Sequence, residues 1–309
     1  MKKTNIIITG GLGNIGSSFV KKLVNNKKYF LYIVDNLYTG SLSKLPSKKY
    51  KNWKFFKLNV NSKTELNKSF KNIRIDYIFH FAALVGVSRT LMNPKKVFKD
   101  IDGIKNILQL ALKKKIKKYF FSSSSEVYGE TTKFPQNENN TPLNSRLPYS
   151  VVKNLGELCA KNYLTDSSIN YTIFRFFNTY GPAQNDDFVI PNFIKLAKKN
   201  KPILINGDGS QTRTFCYIDD NIDCCVKIFK KNLLNNQIIN IGSNKEITIL
   251  SLAKKIIKIL NSKSKIYFRP KLKEGDMARR FPEIKKMKKI LNRRMISLDK
   301  GIIKTSIKI

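Results

Sequence analysis

The fold of this chain is decided by one stretch near its N-terminus, Asn5-Ile6-Ile7-Ile8-Thr9-Gly10-Gly11-Leu12-Gly13-Asn14-Ile15-Gly16. The first five residues form an apolar run, which is typical of a strand buried on both faces. Gly10, Gly13 and Gly16 then form a turn, and helical periodicity follows from Ser17 to Val24. Such a turn lets the backbone approach a pyrophosphate, and the helix N-terminus attracts its charge. The stretch therefore predicts the start of a dinucleotide-binding unit.

A second signal is Asp35, which follows the next predicted strand, Phe30 to Val34. It lies about 20 residues beyond Gly16, the spacing at which an acid accepts hydrogen bonds from the adenosine ribose hydroxyls. Because a carboxylate repels a 2′-phosphate, Asp35 favours NAD over NADP.

Strands and helices alternate in the residues that follow. The pattern predicts strands at 53–58, 77–83, 118–121 and 171–175, and helices at 61–70, 94–114 and 149–164. This alternation indicates an α/β fold with a Rossmann-type doubly wound parallel sheet, whose ligand sites lie at the C-terminal strand ends. Beyond residue 177 the elements become short and mixed, and the chain ends in a basic, loosely patterned segment. We therefore predict a dinucleotide-binding domain at 1–177, to which later segments return, and a smaller mixed α/β lobe mainly at 178–309.

Composition narrows the possible functions. No run approaches 18 apolar residues and no signal peptide precedes the first strand, so a cytoplasmic protein without a membrane span is expected. The four cysteines form no CxxC pair, which favours reduced thiols. His80 is the single histidine, so neither a histidine-based metal site nor a catalytic triad with histidine is expected.

The formal net charge is +38, from 59 basic and 21 acidic residues. Nucleic-acid-binding proteins concentrate such charge on one face. Here lysine is spread over every predicted helix, which favours solvated lysine surfaces over nucleic-acid binding. The charge still favours anionic ligands through long-range steering.

Tyr149 and Lys153 lie four residues apart at the start of the helix predicted at 149–164, so they share one helix face. A free tyrosine has a pKa near 10, and lowering it to about 7 requires roughly 4 kcal/mol of phenolate stabilisation. A neighbouring lysine supplies part of that stabilisation. The pair thus indicates a tyrosine base.

Together these features resemble the NAD-dependent epimerase/dehydratase branch of the extended short-chain dehydrogenase/reductase family, which acts on nucleotide sugars. The resemblance covers nearly the whole chain, in the family's order. Its motifs are TGGLGNIG (9–16), VDNLYTG (34–40), HFAA (80–83), SSSSEVYG (122–129), YSVVK (149–153), RFFNTYGP (175–182), GDGSQTRTFCYIDD (207–220) and GDMARRFPEI (275–284).

The resemblance implies roles for particular residues and a homodimer. The implied NAD-binding residues are Gly10, Gly13, Asn14, Ile15, Gly16, Asp35, Asn36, Asn59, Val60, Phe81, Ala82, Ala83, Tyr149, Lys153 and Phe177. The implied catalytic residues are Ser124, Tyr149 and Lys153, with Glu126 as a further candidate. Within the serine run the alignment to VYG favours Ser124, and Ser123 is the second choice. The implied substrate-binding residues are Ser124, Asn178, Arg213, Lys273 and Arg280. Three positions depart from the family pattern: Asn59 replaces an aspartate, Asp100 an asparagine and Lys273 an arginine.

The family's reactions share oxidation of the sugar at C4 and then diverge. The stretch YSVVK-NLGE favours a 4-epimerase acting on a UDP-hexose or UDP-hexuronate. Glu126 keeps UDP-glucuronate decarboxylase open as the alternative. A 4,6-dehydratase is disfavoured, because Ser125-Glu126 stands where that enzyme has an Asp-Glu pair. A non-catalytic RNA-binding relative is a further alternative, given the positive charge.

Overall fold

The computed structural model describes residues 3–271 and 277–309. Over these residues the strands are β1 Thr4–Thr9, β2 Tyr29–Asp35, β3 Trp53–Lys57, β4 Tyr77–His80, β5 Lys118–Ser124, β6 Asn170–Phe176, β7 Thr179–Tyr180, β8 Ile203–Asn206, β9 Thr212–Thr214, β10 Cys216–Tyr217, β11 Gln237–Ile241, β12 Glu246–Thr248 and β13 Ile266–Arg269. The helices are α1 Asn14–Leu23, α2 Lys63–Phe70, α3 Val87–Met92, α4 Pro94–Phe98, α5 Asp100–Lys114, α6 Pro148–Leu164, α7 Val189–Lys198, α8 Ile218–Lys230, α9 Ile249–Ile259, α10 Lys285–Leu291 and α11 Leu298–Ser306. No helix in the described part of the chain has the length and apolar character needed to span a membrane.

The chain divides into two compact units. The first contains the described residues of Met1–Val127, together with Ser145–Arg175 and Cys225–Ile239. The second contains Tyr128–Asn144, Phe176–Cys224 and the described residues of Asn240–Ile309. The assignment of NAD to the N-terminal part and of the nucleotide sugar to the C-terminal part remains a prediction.

A seven-stranded sheet forms the centre of the fold, in the order β11-β6-β5-β4-β1-β2-β3. Its neighbouring pairs β1–β2, β1–β4, β2–β3 and β4–β5 run parallel. The order reverses between β1 and β4, because successive strands are added on opposite sides of β1. In such sheets the ligand crevice lies outside the carboxyl ends of the strands at this switch point.

Helices cover both faces of this sheet, as the predicted doubly wound arrangement requires. Successive strand residues point to opposite faces, so Ile78 and Phe79 belong to different cores. Ile78 lies in the buried cluster that includes residues of α2, α5 and α6. On the other face, the ring of Phe79 lies 4.3 Å from that of Phe19 in α1 and 5.5 Å from that of Phe229 in α8.

The helix predicted at 94–114 is interrupted. It forms α4 and α5, separated at Lys99. There the N–H of Asp102 donates to the carbonyl oxygen of Lys99 at 3.1 Å, which is the tighter i to i+3 pattern. The consequence is that Asp100 stands at the first position of α5.

The C-terminal residues are more regular than the sequence suggested. Thr248 caps α9, with its side chain accepting the N–H of Ser251 at 3.1 Å. The segment predicted as loosely patterned instead contains α10 and α11. Met287 and Leu291 are fully buried one turn apart on α10, and Ser297 caps α11. Because α10 is only seven residues long and Ile302 is the one large apolar side chain that α11 buries, the apolar periodicity was too weak to predict either helix.

Candidate active site

The glycine turn has the geometry expected for a dinucleotide. Gly10 follows β1 with φ of +62°, and a Cβ atom there would lie 2.7 Å from the amide nitrogen of Ala82. The N–H of Gly13 donates to the carbonyl oxygen of Gly10 at 3.0 Å. The turn closes tightly, so α1 begins at Asn14, four residues after Gly10.

Asp35 is the last residue of β2 and is buried. Its carboxylate accepts the N–H of Leu12 at 2.9 Å and the N–H of Leu37 at 2.8 Å. An ionised carboxylate offers about four acceptor sites. Asp35 therefore holds the glycine turn in place and keeps acceptor capacity for ribose hydroxyls. The first of these roles was not predicted from the sequence.

The end of β4 is held in the same region of the first unit. Thr9 Oγ1 is hydrogen-bonded to His80 Nδ1 at 2.7 Å and accepts the N–H of Ala82 at 3.2 Å. Burial, with a smaller contribution from the charge of Lys153, lowers the pKa of His80 to about 3, so this imidazole is neutral. The small residues Ala82 and Ala83 continue from this anchored strand end.

These residues fit NAD. Among the described residues, the side-chain oxygen of Asn14, at the first position of α1, is buried without a hydrogen-bond partner, so a polar ligand group beside the helix N-terminus would satisfy it. Ile15 is the next helical residue, and Asn36 follows Asp35. Val60 is buried, whereas Asn59 is exposed.

Phe177 belongs to the second unit, whereas the other predicted NAD-binding residues belong to the first. The side chain of Phe177 is fully buried, with its ring centre 6.0 Å from that of Tyr128.

Ser124, Tyr149 and Lys153 all belong to the first unit. Ser124 is the last residue of β5, and Tyr149 and Lys153 lie in the first two turns of α6. Lys153 is buried, and its Nζ donates to the carbonyl oxygen of Ser122 at 2.6 Å. The same Nζ lies 5.8 Å from the centre of the Tyr149 ring. The ammonium of Lys153 thus lies between Tyr149 and β5, the strand that ends in Ser124.

The four-serine run left the identity of the catalytic serine open, and contacts favour Ser124. Ser123 is buried and its Oγ donates to a carboxylate oxygen of Glu157 at 2.5 Å. Ser124 is half-buried and its Oγ accepts the N–H of Glu126 at 3.2 Å. Glu126 itself is half-buried in a short 3₁₀ turn that follows β5.

The electrostatic environment of Lys153 includes a residue that the sequence marked only as a departure. Burial lowers the pKa of Lys153 to about 8, and the carboxylates of Asp100 and Glu157 oppose that shift. The Asp100 carboxylate accepts the N–H of Leu84 at 2.7 Å. Burial raises the pKa of Asp100, while this hydrogen bond, Lys153 and Asn61 lower it. A neutral asparagine at position 100 would lack this charge.

Three of the predicted substrate residues lie in the second unit. Arg213, in β9, and Arg280 are both buried. Their segments adjoin, since the N–H of Thr212 donates to the carbonyl oxygen of Ala278 at 3.0 Å. Asn178 holds the same region, with Nδ2 donating to the carbonyl oxygen of Thr214 at 3.0 Å. Two guanidinium groups on adjoining segments suit an anion such as a diphosphate. Lys273 lies outside the described residues.

The strand order and the glycine turn define a Rossmann-type dinucleotide-binding protein. Comparison with known proteins narrows that class. The model of the NAD-dependent epimerase/dehydratase family matches residues 6–242. The chain therefore belongs to the NAD-dependent epimerase/dehydratase family, and the predicted family, fold class and NAD cofactor are confirmed.

Relatives of two activities are similar over nearly the whole chain. UDP-N-acetyl-alpha-D-glucosaminuronate decarboxylase of Bacillus cytotoxicus is 34% identical, over 93% of this chain and 92% of that protein. A putative UDP-glucose 4-epimerase of Methanocaldococcus jannaschii is 35% identical, over 96% and 95%. The crystal structure of UDP-glucose 4-epimerase from Thermotoga maritima with UDP-glucose has a TM-score of 0.92 and 28% identity, covering 99% and 98%. The family consists of enzymes that act on nucleotide sugars.

Proposed function

We propose that this protein is a nucleotide-sugar 4-epimerase that acts on a UDP-hexose or UDP-hexuronate through a transient 4-keto sugar. The observation that carries the proposal is the position of Lys153, whose Nζ is held by the carbonyl oxygen of Ser122 beside the Tyr149 ring. An ammonium fixed next to a phenol favours the phenolate, which is the form that accepts a proton.

The first half of the reaction removes a proton from the 4-hydroxyl of the sugar. Tyr149 accepts that proton, and Ser124 hydrogen-bonds the same oxygen and stabilises it while its charge changes. When bound, NAD⁺ supplies the acceptor for the hydride on C4 and later returns it. In the second half, the keto sugar presents its other face and Tyr149 gives the proton back to the oxygen. The product therefore has the mass of the substrate.

The second unit supplies the proposed diphosphate contacts. Arg213 and Arg280 are buried guanidinium groups on adjoining segments. An arginine fork binds phosphate oxygens through paired hydrogen bonds. We assign these two residues, with Asn178 and Lys273, to the nucleotide diphosphate.

Decarboxylation of a UDP-glucuronate-like substrate is the second candidate. It is supported by the relative from Bacillus cytotoxicus and by Glu126, which directly follows the Ser124-Ser125 end of the serine run. The same Tyr149 chemistry at C4 makes a β-keto acid, which loses CO₂. The 4,6-dehydratase reaction has less support, because residue 125 is a buried serine with no carboxyl group to protonate the leaving hydroxyl.

One experiment separates these reactions. Purified protein is incubated with UDP-glucose, UDP-N-acetylglucosamine and UDP-glucuronate, and the products are read by mass spectrometry and NMR. A product of unchanged mass with inverted C4 supports the epimerase, and loss of CO₂ supports the decarboxylase instead. Protein that carries NAD but converts none of the three sugars contradicts both. A protein inert toward all three that retains RNA at moderate salt would favour the RNA-binding alternative.

A further inference from the structure

A buried polar network connects three elements of the first unit. Ser123 in β5, Glu157 in α6 and Arg175 in β6 are each no more than 2% exposed. Ser123 Oγ donates to Glu157 Oε1 at 2.5 Å. Arg175 donates from Nε to Oε1 at 2.9 Å and from Nη2 to Oε2 at 2.7 Å. The carboxylate is therefore held by a two-point arginine fork and one serine hydroxyl.

Stability alone does not account for such a network. Desolvation of a buried ion pair offsets most of its attraction, and well-packed apolar residues of similar volume are often as stable. A charged network with directional bonds does fix the relative positions of the elements that carry it. The network is therefore better explained by a role in positioning the residues that these elements carry.

The network lies directly beside the catalytic candidates. Glu157 is one turn beyond Lys153 and two turns beyond Tyr149, so all three share one stripe of α6. Ser123 precedes Ser124 in β5. The hydrogen bond from Lys153 to the carbonyl oxygen of Ser122 adds a second connection one residue earlier on the strand. Two successive residues of β5, Ser122 and Ser123, are thus hydrogen-bonded to side chains of α6.

We propose that Ser123 is a positioning residue for Ser124: the Glu157–Arg175 pair holds its hydroxyl and thereby fixes the end of β5 relative to Tyr149 and Lys153. This inference rests on the proposed function, because it assumes that Ser124 and Tyr149 act on the sugar. It gives the second serine of the run a role distinct from catalysis. The register of β5 with β4 covers residues 118–121, before the serine run, so without the Ser123–Glu157 hydrogen bond the orientation of Ser124 loses its nearest side-chain anchor.

The test uses Ser123→Ala in the full-length, NAD-containing protein. Substitution of Glu157 or Arg175 would remove one partner of a buried ion pair and strongly destabilise the protein, whereas Ser123→Ala leaves the ion pair intact. We expect kcat to fall by about 10- to 100-fold, the scale on which small misplacements act, with KM, bound NAD and melting temperature nearly unchanged. Ser123→Thr, which keeps the hydroxyl, should restore most of the activity.

Thr172→Val is the matched control. Thr172 is a fully buried hydroxyl in β6, and its Oγ1 donates to the carbonyl oxygen of Leu234 at 2.8 Å. The Thr172→Val substitution removes one buried hydrogen bond of β6 and leaves the Ser123–Glu157–Arg175 network intact, so kcat should stay at the wild-type value. An equal fall of kcat in Thr172→Val and Ser123→Ala would overturn the inference, since the effect would then be general loosening of the sheet.

A double-mutant cycle with Ser124→Ala gives the sharpest readout. If Ser123 acts through Ser124, adding Ser123→Ala to Ser124→Ala should lower kcat by less than about threefold, because coupled residues are not additive. A full multiplicative fall, or wild-type kcat in Ser123→Ala, overturns the inference and leaves the proposed function standing. Wild-type protein that converts no nucleotide sugar, or Tyr149→Phe that keeps full turnover, overturns both.

Discussion

Lys153 donates a 2.6 Å hydrogen bond to the carbonyl oxygen of Ser122, so the ammonium of the catalytic helix is fixed to the strand that ends in the serine run. The lysine is buried, and its surroundings include the rings of Phe121 and Tyr149, the carboxylates of Asp100 and Glu157 and the imidazole of His80. A charge this immobile acts on the phenol with little reorganisation.

Tyr149→Phe should lower kcat by about 10²- to 10⁴-fold, the usual contribution of a general base. Bound NAD and the melting temperature should change little, because only a hydroxyl is lost. Tyr163→Phe, on the same helix and also partly buried against the core, is the matched control and should keep wild-type turnover. Activity is measured with whichever nucleotide sugar the wild type converts. Equal activity in the two variants would contradict the assignment of the base.

Asp100→Asn should move the alkaline limb of the kcat/KM profile to lower pH. The pKa of Lys153 is lowered to about 8 by burial, and the Asp100 carboxylate opposes that shift. Removing the negative charge lets the pKa fall further, so the ammonium and its support of the phenolate are lost at lower pH. The position of the alkaline limb is measured by recording kcat/KM from pH 6 to 10 for both proteins.

Asp102→Asn is the control for that profile. Asp102 is exposed in the first turn of the same helix, where solvent screens its charge. The alkaline limb of Asp102→Asn should coincide with that of the wild type. A limb that stays in place or moves to higher pH in Asp100→Asn would show that the carboxylate does not act on Lys153.

His80 should make the protein less stable in acid. Its folded pKa is lowered to about 3, against an ordinary value near 6.5. Between these values the unfolded chain binds a proton that the folded chain does not. The free energy of unfolding therefore falls as pH falls below about 6.5, by up to roughly 1.4 kcal/mol per pH unit from this group.

Because His80 is the only histidine, His80→Asn removes every imidazole from the chain. The variant should be less stable at pH 7, since it loses the stacked ring, but its stability should fall less steeply toward pH 5. Urea unfolding at pH 7, 6 and 5 measures the slope for each protein. Identical slopes would mean that the imidazole is protonated in the folded state as readily as in the unfolded chain.

Gly10→Ala should abolish retention of NAD and lower the stability of the protein. Gly207→Ala is the matched control, because φ is +62° at Gly10 and +68° at Gly207, and a left-handed alanine costs about 1–2 kcal/mol at either site. Only at Gly10 would the new Cβ meet backbone, 2.7 Å from the amide nitrogen of Ala82. The nearest atom to a Cβ at Gly207 is 3.7 Å away.

The larger loss of stability is therefore expected for Gly10→Ala in urea unfolding, and only this variant should lose NAD, measured after denaturation by chromatography. Similar losses in both variants would indicate that the turn relaxes around the methyl group. Retention of NAD by Gly10→Ala would contradict the role of the turn in cofactor binding.

Local features of the fold could be predicted because each depends on neighbouring residues. The apolar run, the glycine turn and the periodicity after it specify β1, the turn and α1 within 20 residues or so of chain. The spacing of Tyr149 and Lys153 specifies a shared face on α6 for the same reason. The predicted helix at 94–114 was wrong at Lys99, where a single tightened turn leaves the apolar period nearly unchanged.

The sequence by itself determined the dinucleotide-binding class, the acid at the end of β2 and the tyrosine–lysine pair, since all three are matters of residue type and short spacing. Only the tertiary structure decided which serine of the run faces Glu157, that Asp100 accepts the Leu84 N–H, and that Lys153 reaches Ser122. These contacts join residues 16 to 34 positions apart, and their strengths depend on burial. A hydrogen bond or charge acquires its effect on a pKa from the water excluded around it, and that exclusion exists only after the sheet and helices have packed.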